Sequence, residues 1–427
     1  MTTKVWAITT TGSGTLSGPA DYPGVATSVE CIGGGGSSIN PQNSTSGGSG
    51  GGGAYAKSVN VQLPNGTPYT VGAGATTSSA AGGDTWIGHV QFASSICGAK
   101  GGSGSVSPGT GAAGGAVSGC IFNSVAYNGG AGGVASTSGG GGGGGAGGIH
   151  GDGAHGGQCS VSSGSGGGGG ASTGGTPGAD GAATAAGGNG GDNFAGSGHG
   201  TGGSSPSGAG TAGTAGGGGG GGGSASQGAG GVGGPGTNDW TTDYVNGSSS
   251  VQNIGAGGGG GGQGAGSNAS NTPSGGNYGG GGGGCNSSSS TFGHGGDGLI
   301  VITYTLQPII TVAPFGVRIM EGQLATFSVT ATASAGSLTY QWQDNRTGSF
   351  ANCADGTGAT SATYTTPPEL VSASGRQYQC VLTDSNGSRT TLPVAMIVVP
   401  YDTIEDPRIR YPHDGGRDWG LDIREWF

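Results

Sequence analysis

The chain has 427 residues, 115 of them glycine, and only 7% are charged. Its formal net charge of −10 argues against nucleic-acid binding, which needs a basic footprint, and against attraction to an anionic membrane surface. Glycine follows no strict G-X-Y period, which excludes collagen, and no apolar run approaches the roughly 18–20 residues that span a bilayer.

Charge is unevenly placed. Up to Tyr304 there are three lysines (Lys4, Lys57, Lys100), nine acids and no arginine; all eight arginines lie from Arg318 onward. Met1 to Gly14 shows no apolar h-region, so synthesis in the cytosol is expected. The seven cysteines (Cys31, Cys97, Cys120, Cys159, Cys285, Cys353, Cys380) show no C-x-x-C spacing. Neither a zinc site nor a redox motif is expected, and most should be small, reduced, buried residues.

In residues 1–100, Lys4–Thr10 and Thr27–Ile32 read as short strands, with loops around Pro19 and Pro23. Ala54–Leu63 alternates cleanly, and the turn Pro64-Asn65-Gly66 leads to Pro68–Val71, so the two arms read as a β-hairpin. Asp84–Ala93 reads as a further strand pair, and Cys120–Tyr127 as a β-like island. Leu299–Thr305 is a continuous apolar strand, expected to return and pair with the N-terminal strands.

Between Gly33 and Gly298 the chain is punctuated by pure glycine runs at Gly139–Gly145, Gly166–Gly170, Gly216–Gly223, Gly257–Gly262 and Gly279–Gly284. Such composition reads either as disorder or as polyglycine in the polyproline II form, which has three residues per turn and no internal hydrogen bonds. In that form, chains without Cβ atoms can crosslink laterally through their backbones. Gly216–Gly223 would span about 25 Å at ~3.1 Å per residue. Strands at both ends and regular interruptions favour the second reading. The expected architecture is mostly β and polyglycine II with almost no α-helix. A β module clasps a polyglycine II bundle over 101–305.

The series Cys31-Ile32-Gly33-Gly34-Gly35-Gly36, Gly51-Gly52-Gly53-Ala54-Tyr55-Ala56-Lys57, Val71-Gly72-Ala73-Gly74, Gly83-Asp84-Thr85-Trp86, Gly98-Ala99-Lys100-Gly101-Gly102 and Gly295-Gly296-Asp297-Gly298-Leu299-Ile300-Val301-Ile302-Thr303-Tyr304 resembles a glycine-rich domain family of bacteriophage virion and tail-fibre proteins. The bundle is similar in architecture to the receptor-binding adhesin at the long-tail-fibre tip of T-even-like phages. No individual binding residue carries over from that likeness.

Residues 306–399 alternate regularly, with turn signals every 8–12 residues. Ala325–Thr332, Leu338–Gln343, Ala362–Thr365, Gln377–Asp384 and Leu392–Val399 read as strands. Trp342 stands at a strand C core position, and Tyr378 precedes Cys380 at tyrosine-corner spacing. The region resembles the immunoglobulin-like modules appended to phage structural proteins. Val329 or a neighbour stands where the partner of Cys380 would be, and Cys353 falls in a loop-like stretch, so no inter-sheet disulfide is expected.

The tail, 400–427, interleaves four arginines and seven acids with large apolar groups. It is too short to fold alone. It reads as a peptide docking on another protein or a second copy through Trp419, Leu421, Ile423, Trp426 and Phe427, or as a segment packing back on the preceding module.

Asp239-Trp240-Thr241-Thr242-Asp243-Tyr244 is the densest polar-aromatic cluster of the glycine block. Rigid aromatics beside acids suit carbohydrate or protein receptors, so Asp239, Trp240, Asp243 and Tyr244 are the candidate receptor loop; a plain solvated loop is the alternative. Tyr127, Tyr278 and Phe292 are weaker candidates. His150, Asp152 and His155 form a local cluster without further metal-site logic. G-x-G-x-x-G matches carry nothing in glycine tracts. No Ser-His-Asp set or nucleophile elbow is present, so no catalytic residue, metal or cofactor is expected.

The resemblance implies a virion structural protein, displayed on the particle and contacting the host surface through a glycan or an outer-membrane protein. Other virion proteins, and a homo-oligomer, would be its partners. Alternatives are a capsid-decorating or head-fibre protein, a polysaccharide-degrading tailspike and a bacterial surface adhesin.

Overall fold

The computed structural model describes residues 2–40, 46–137, 139–160, 164–171, 175–182, 186–193, 195–204, 208–222, 229–236, 239–241, 244–245, 253–263, 273–285 and 291–400. The chain divides into two compact units, Met1–Leu306 and Gln307–Phe427.

The strands of the first unit are β1 (Thr3–Ile8), β2 (Gly12–Thr15), β3 (Val25–Ile32), β4 (Tyr55–Gln62), β5 (Pro68–Val71), β6 (Thr85–Ile87), β7 (Cys97–Ala99), β8 (Val125–Tyr127), β9 (Trp240–Thr241), β10 (Tyr244–Val245), β11 (Asn253–Ile254) and β12 (Leu299–Thr305). One sheet has the order β10-β1-β12-β3-β4-β8, and a second the order β2-β5-β6-β7. β12 lies antiparallel between β1 and β3, as its sequence led us to expect. Alternation along β1 and β12 separates two cores. Trp6, Ile8, Ile300, Ile302 and Tyr304 pack toward the second sheet with Leu63, Val71 and Ile87. Ala7, Leu299 and Val301 pack the other way, against Ala146, Ala171, Trp240, Ile254 and Ala256 of the glycine-rich segment.

The expected hairpin does not form. β4 pairs with β3 and β8, whereas β5 pairs with β2 and β6. The intervening turn is tied elsewhere: Leu63 N–H donates to Gly24 and Gly66 N–H to Leu16. It therefore passes the chain from one sheet to the other, and Leu63 itself is fully buried between them. The expected strand pair at 84–93 is likewise β6 followed by a 3-10 turn, with its partner β7 beginning only at Cys97.

Glycine-rich rods grow directly out of this module. Past Ile32 and Tyr55 the β3–β4 ladder continues as Gly33→Ala54, Gly36→Gly51 and Ile39→Gly48 N–H to carbonyl bonds. The pairing stays antiparallel, but bonds now recur every third residue. That is the period of polyglycine II. The rod 139–148 is a full example. It donates to three neighbours: Gly140 and Gly143 to Gln263 and Gly260, Gly142 and Gly145 to Gly157 and Ala154, Gly144 and Gly147 to Gly50 and Gly53. Its carbonyls accept from three others: Gly140 and Gly143 from Gly166 and Gly169, Gly141 and Gly144 from Gly284 and Gly281, Gly142 and Gly145 from Gly133 and Gly130. Six rods thus surround one, some parallel and some antiparallel.

Each long glycine run occupies such an interior position. There, the place a Cβ would take is filled by a neighbouring carbonyl oxygen, 2.0 Å away at Gly140 and Gly168 and 2.1 Å at Gly143. Fixing one backbone costs about 1–2 kcal/mol, most for glycine. An N–H···O bond contributes about 0.5–1.5 kcal/mol net, and a Cα–H···O contact about 0.5–1. The two act together against the entropy, and the second requires glycine.

Outer rods place a side chain outward at every third residue. Asp152, His155 and Gln158 are exposed, as are Val232 and Pro235. At this boundary polar side chains take the amides that no further rod would accept. Asp152 Oδ1 accepts from Asn128 N (2.7 Å), Asp180 Oδ1 from Gln158 N (2.7 Å), Asn189 Oδ1 from Gly202 N (2.8 Å) and Thr176 Oγ1 from Asp192 N (2.8 Å).

The second unit contains β13 (Ile309–Val312), β14 (Val317–Met320), β15 (Thr326–Ser328), β16 (Thr330–Thr332), β17 (Thr339–Asp344), β18 (Ala351–Asn352), β19 (Thr363–Thr365), β20 (Gln377–Asp384), β21 (Gly387–Thr390) and β22 (Val394–Val399). One sheet runs β14-β22-β20-β17-β18, with β21 beside β20; the pairs β13-β16 and β15-β19 lie outside it. Phe327 and Tyr364 from the β15-β19 pair, and Val329 between β15 and β16, share one core with Trp342, Tyr378, Cys380, Leu382, Met396 and Val398. This is an immunoglobulin-like β-sandwich. Trp342 is fully buried and donates through Nε1 to Ser361 O (2.9 Å). Tyr378 departs from a tyrosine corner: its hydroxyl accepts from Arg376 Nη1 (3.4 Å), and its ring stacks on Phe327 at 4.5 Å. Val329 and Cys380 share the core, and Cys353 and Cys380 are free thiols. Burial pushes each of these thiols up to about 11.

Candidate functional site

The structure corrects two members of the expected receptor loop, Trp240 and Asp239. Trp240 is 9% exposed and belongs to the core between the six-stranded sheet and the rods. β9 pairs antiparallel with β11, setting Trp240 opposite Ile254, and β10 extends the sheet parallel to β1. The rods present mostly alanine to that sheet, so one large ring is needed to fill the junction. Asp239 Oδ1 lies 3.4 Å from His150 Nε2, and Asp239 Oδ2 accepts from Ala256 N (3.4 Å). This acid therefore helps hold β9 against the rods. Asp243 and the side chain of Tyr244 lie outside the described residues, as do Trp419, Leu421, Ile423, Trp426 and Phe427.

His150, Asp152 and His155 do not converge: they meet Asp239, Asn128 and the Gly156 carbonyl respectively. Among the described residues no group of three or more His, Cys, Asp or Glu could hold a metal ion. The weaker aromatic candidates also pack internally. Tyr127 stacks on Tyr55 at 6.0 Å, Tyr278 lies against the Trp240 core, and Phe292 meets His294 at 5.0 Å. A buried acid, Glu30, accepts from the Tyr55 hydroxyl (2.5 Å) and Ser28 Oγ (3.1 Å), and lies 3.3 Å from Lys57 Nζ. It is satisfied within the sheet. Desolvation, then the neighbouring Glu30 charge, pushes the Tyr55 hydroxyl well up.

The accessible aromatic surface lies elsewhere, on the outer face of the four-stranded sheet. Tyr69 and Ile87 are paired across β5 and β6 and pack inward; Thr70 and Trp86, the next register pair, therefore point outward. Ser13 stands opposite Thr70 and Gly98 opposite Trp86, so one row crosses all four strands. Trp86 is half-buried. Its Nε1 donates to His89 O (3.1 Å), which fixes the indole. Phe92 meets the indole edge-on at 5.8 Å and 81°. It can lie there because Gly98 has no side chain: a Cβ would be 2.9 Å from the Phe92 ring. Lys100 Nζ stands 4.9 Å above the Phe92 ring and is paired with Asp84. Sequence reading saw in this segment only strands. The available signal was Trp86 followed within a few residues by His89, Val90 and Phe92 at a turn, which a short strand cannot bury on one face.

Fold and surface together define a two-unit β protein whose first unit is organised by a backbone-crosslinked glycine lattice. No protein-family model matches the chain, and no curated protein matches it. Solved structures similar to part of it include segments that contain immunoglobulin domains. The N-terminal Ig1-2 module of the Drosophila receptor protein tyrosine phosphatase DLAR is 12% identical, covering 24% of this chain and 70% of that one, at a TM-score of 0.20. The twitchin kinase region from C. elegans is 20% identical, covering 22% and 16%, at 0.18. The titin M10–obscurin-like 1 Ig complex is 16% identical, covering 22% and 94%, at 0.17. At these scores no functional inference follows from them.

Proposed function

We propose that this chain is a bacteriophage virion protein of the tail-fibre or tail-tip type that contacts the host cell surface. The observation that supports this most is the six-fold surrounding of the interior rods. Rods hydrogen-bonded to neighbours on all sides resist bending and keep their own backbone from proteases, which suits a particle exterior. Its outward positions tolerate any side chain, so the outer surface can vary while the interior stays glycine. The immunoglobulin-like unit would add weak contacts that become strong by multiplicity. Other virion proteins, a second copy of the chain, and a host glycan or outer-membrane protein would be its partners.

Two measurements test this. Gold-labelled antibody against the chain should mark the tail tip of the particles that carry it. Purified chain should bind host cells and lower phage adsorption. Label on the head without competition would replace this reading with a head-fibre one, and depolymerisation of host polysaccharide by the purified chain would reverse its non-enzymatic part.

A further inference from the structure

We infer that the outer face of the four-stranded sheet, centred on Trp86, is a binding site for a neutral glycan. The proposal rests on the host-contact reading and assigns that contact a place and a ligand class.

A pyranose ring has an apolar C–H face and a rim of hydroxyls. It therefore needs a fixed aromatic plane with hydrogen-bonding groups beside it. The indole of Trp86 is held on one side by its bond to His89 O and on another by Phe92. The Ser13 and Thr70 hydroxyls lie next along the same row, 2.8 Å from each other and exposed. Each hydroxyl pair can donate and accept at once, as a sugar hydroxyl requires. On the other flank, His89 Nδ1 accepts from Gln91 N (3.1 Å), which leaves Nε2 of the neutral ring as the donor. His89 is exposed, and Val90 beside it is 73% exposed, adding apolar surface at the rim.

Charge selects the class. The ammonium and carboxylate at this face, Lys100 and Asp84, neutralise each other, and Asp84 Oδ1 also accepts from Gly101 N (2.9 Å). The chain as a whole carries −10. An acidic ligand finds no unpaired cation here, and a basic one no unpaired anion. Neutral hexose or N-acetylhexosamine chains fit.

The test uses the full-length chain on an array of neutral and anionic oligosaccharides, followed by titration of the best neutral binder. Trp86→Ala should weaken binding about 10- to 100-fold, and Trp86→Phe, which keeps an aromatic face, less. Thr70→Val should weaken it severalfold. Should Trp86→Ala fold poorly, the Phe and Val variants carry the test. The proposal is overturned if no neutral oligosaccharide binds, if binding ignores all three substitutions, or if only anionic sugars or a purified outer-membrane protein bind through Trp86. Trp86-dependent sugar binding without loss of adsorption in the Trp86→Ala variant would keep the glycan site and remove the host-contact reading. Adsorption that competes normally while sugar binding is absent would do the opposite.

Discussion

Gly142 faces the carbonyl oxygen of Gly167 so closely that a Cβ would lie 1.9 Å from it. The neighbouring rod, more than local backbone preference, demands glycine there. Gly142→Ala must push two rods apart and break bonds on both sides. A cost of about 1–3 kcal/mol or more is expected, read as a lower denaturation midpoint of the first unit. Val232→Ala, at an outward position that is 43% exposed, should stay within about 0.5 kcal/mol of wild type.

Interior amides should exchange slowly. Gly143, Gly145, Gly168 and Gly219 all donate to buried carbonyls of other rods, so each opens only when the lattice does. Hydrogen exchange resolved by peptide should show protection across 139–148 and 216–222 comparable to that of β12. Exchange within seconds there would mean a tether instead of a lattice.

Trp240 joins the rods to the sheet. Trp240→Ala removes a large ring from a closed core and is expected to cost about 3–5 kcal/mol. Thermal melting would report it. Had Trp240 been a surface receptor contact, binding would change and stability would not.

The second unit should weaken in acid through Asp384. Desolvation raises this carboxyl, but hydrogen bonds from Ser334, Asn386 and Ala335 outweigh it and hold it below the usual range. A carboxyl depressed in the folded state contributes stability that is fully present above its unfolded value, about 3.9, and is lost as pH falls through the folded value. Asp384→Asn should therefore flatten the acid limb below about pH 4 and lower stability near neutrality. A denaturant series against pH would show both.

The thiols of Cys285, Cys353 and Cys380 should be inert while the protein is folded. Burial pushes Cys285 up to about 12 and Cys353 and Cys380 up to about 11. At pH 8 about one such thiol in a thousand or fewer is ionised. Alkylation followed by mass spectrometry should modify these three only after unfolding. Cys120, half-buried, should react first.

Strand positions were legible where apolar alternation is long, and less so elsewhere: β13 and β14 were not read as strands, and Ala325–Thr332 is two strands, β15 and β16. Leu299–Thr305 and Gln377–Asp384 have the predicted limits, because alternation and β-branched content determine them. Pairing was less legible. Ala54–Leu63 and Pro68–Val71 look like two arms of one hairpin, yet Leu63 and Gly66 are tied to Gly24 and Leu16, partners that lie far away in the chain. Trp240 in the Asp239–Tyr244 cluster was misread for a related reason. Composition shows that a tryptophan stands between acids, but only the assembled junction shows that its ring faces alanines.

Sequence alone supplied what the lattice needs: runs without Cβ atoms, too long for turns, whose backbones can crosslink laterally in the polyproline II form. It also carried the local three-residue spacing of Asp152, His155 and Gln158. Tertiary structure decided which rods surround each run. A rod becomes interior when six others surround it, and those six come from segments scattered between residues 50 and 284. No local pattern encodes those partners, because every glycine run offers the same amides and carbonyls to its neighbours.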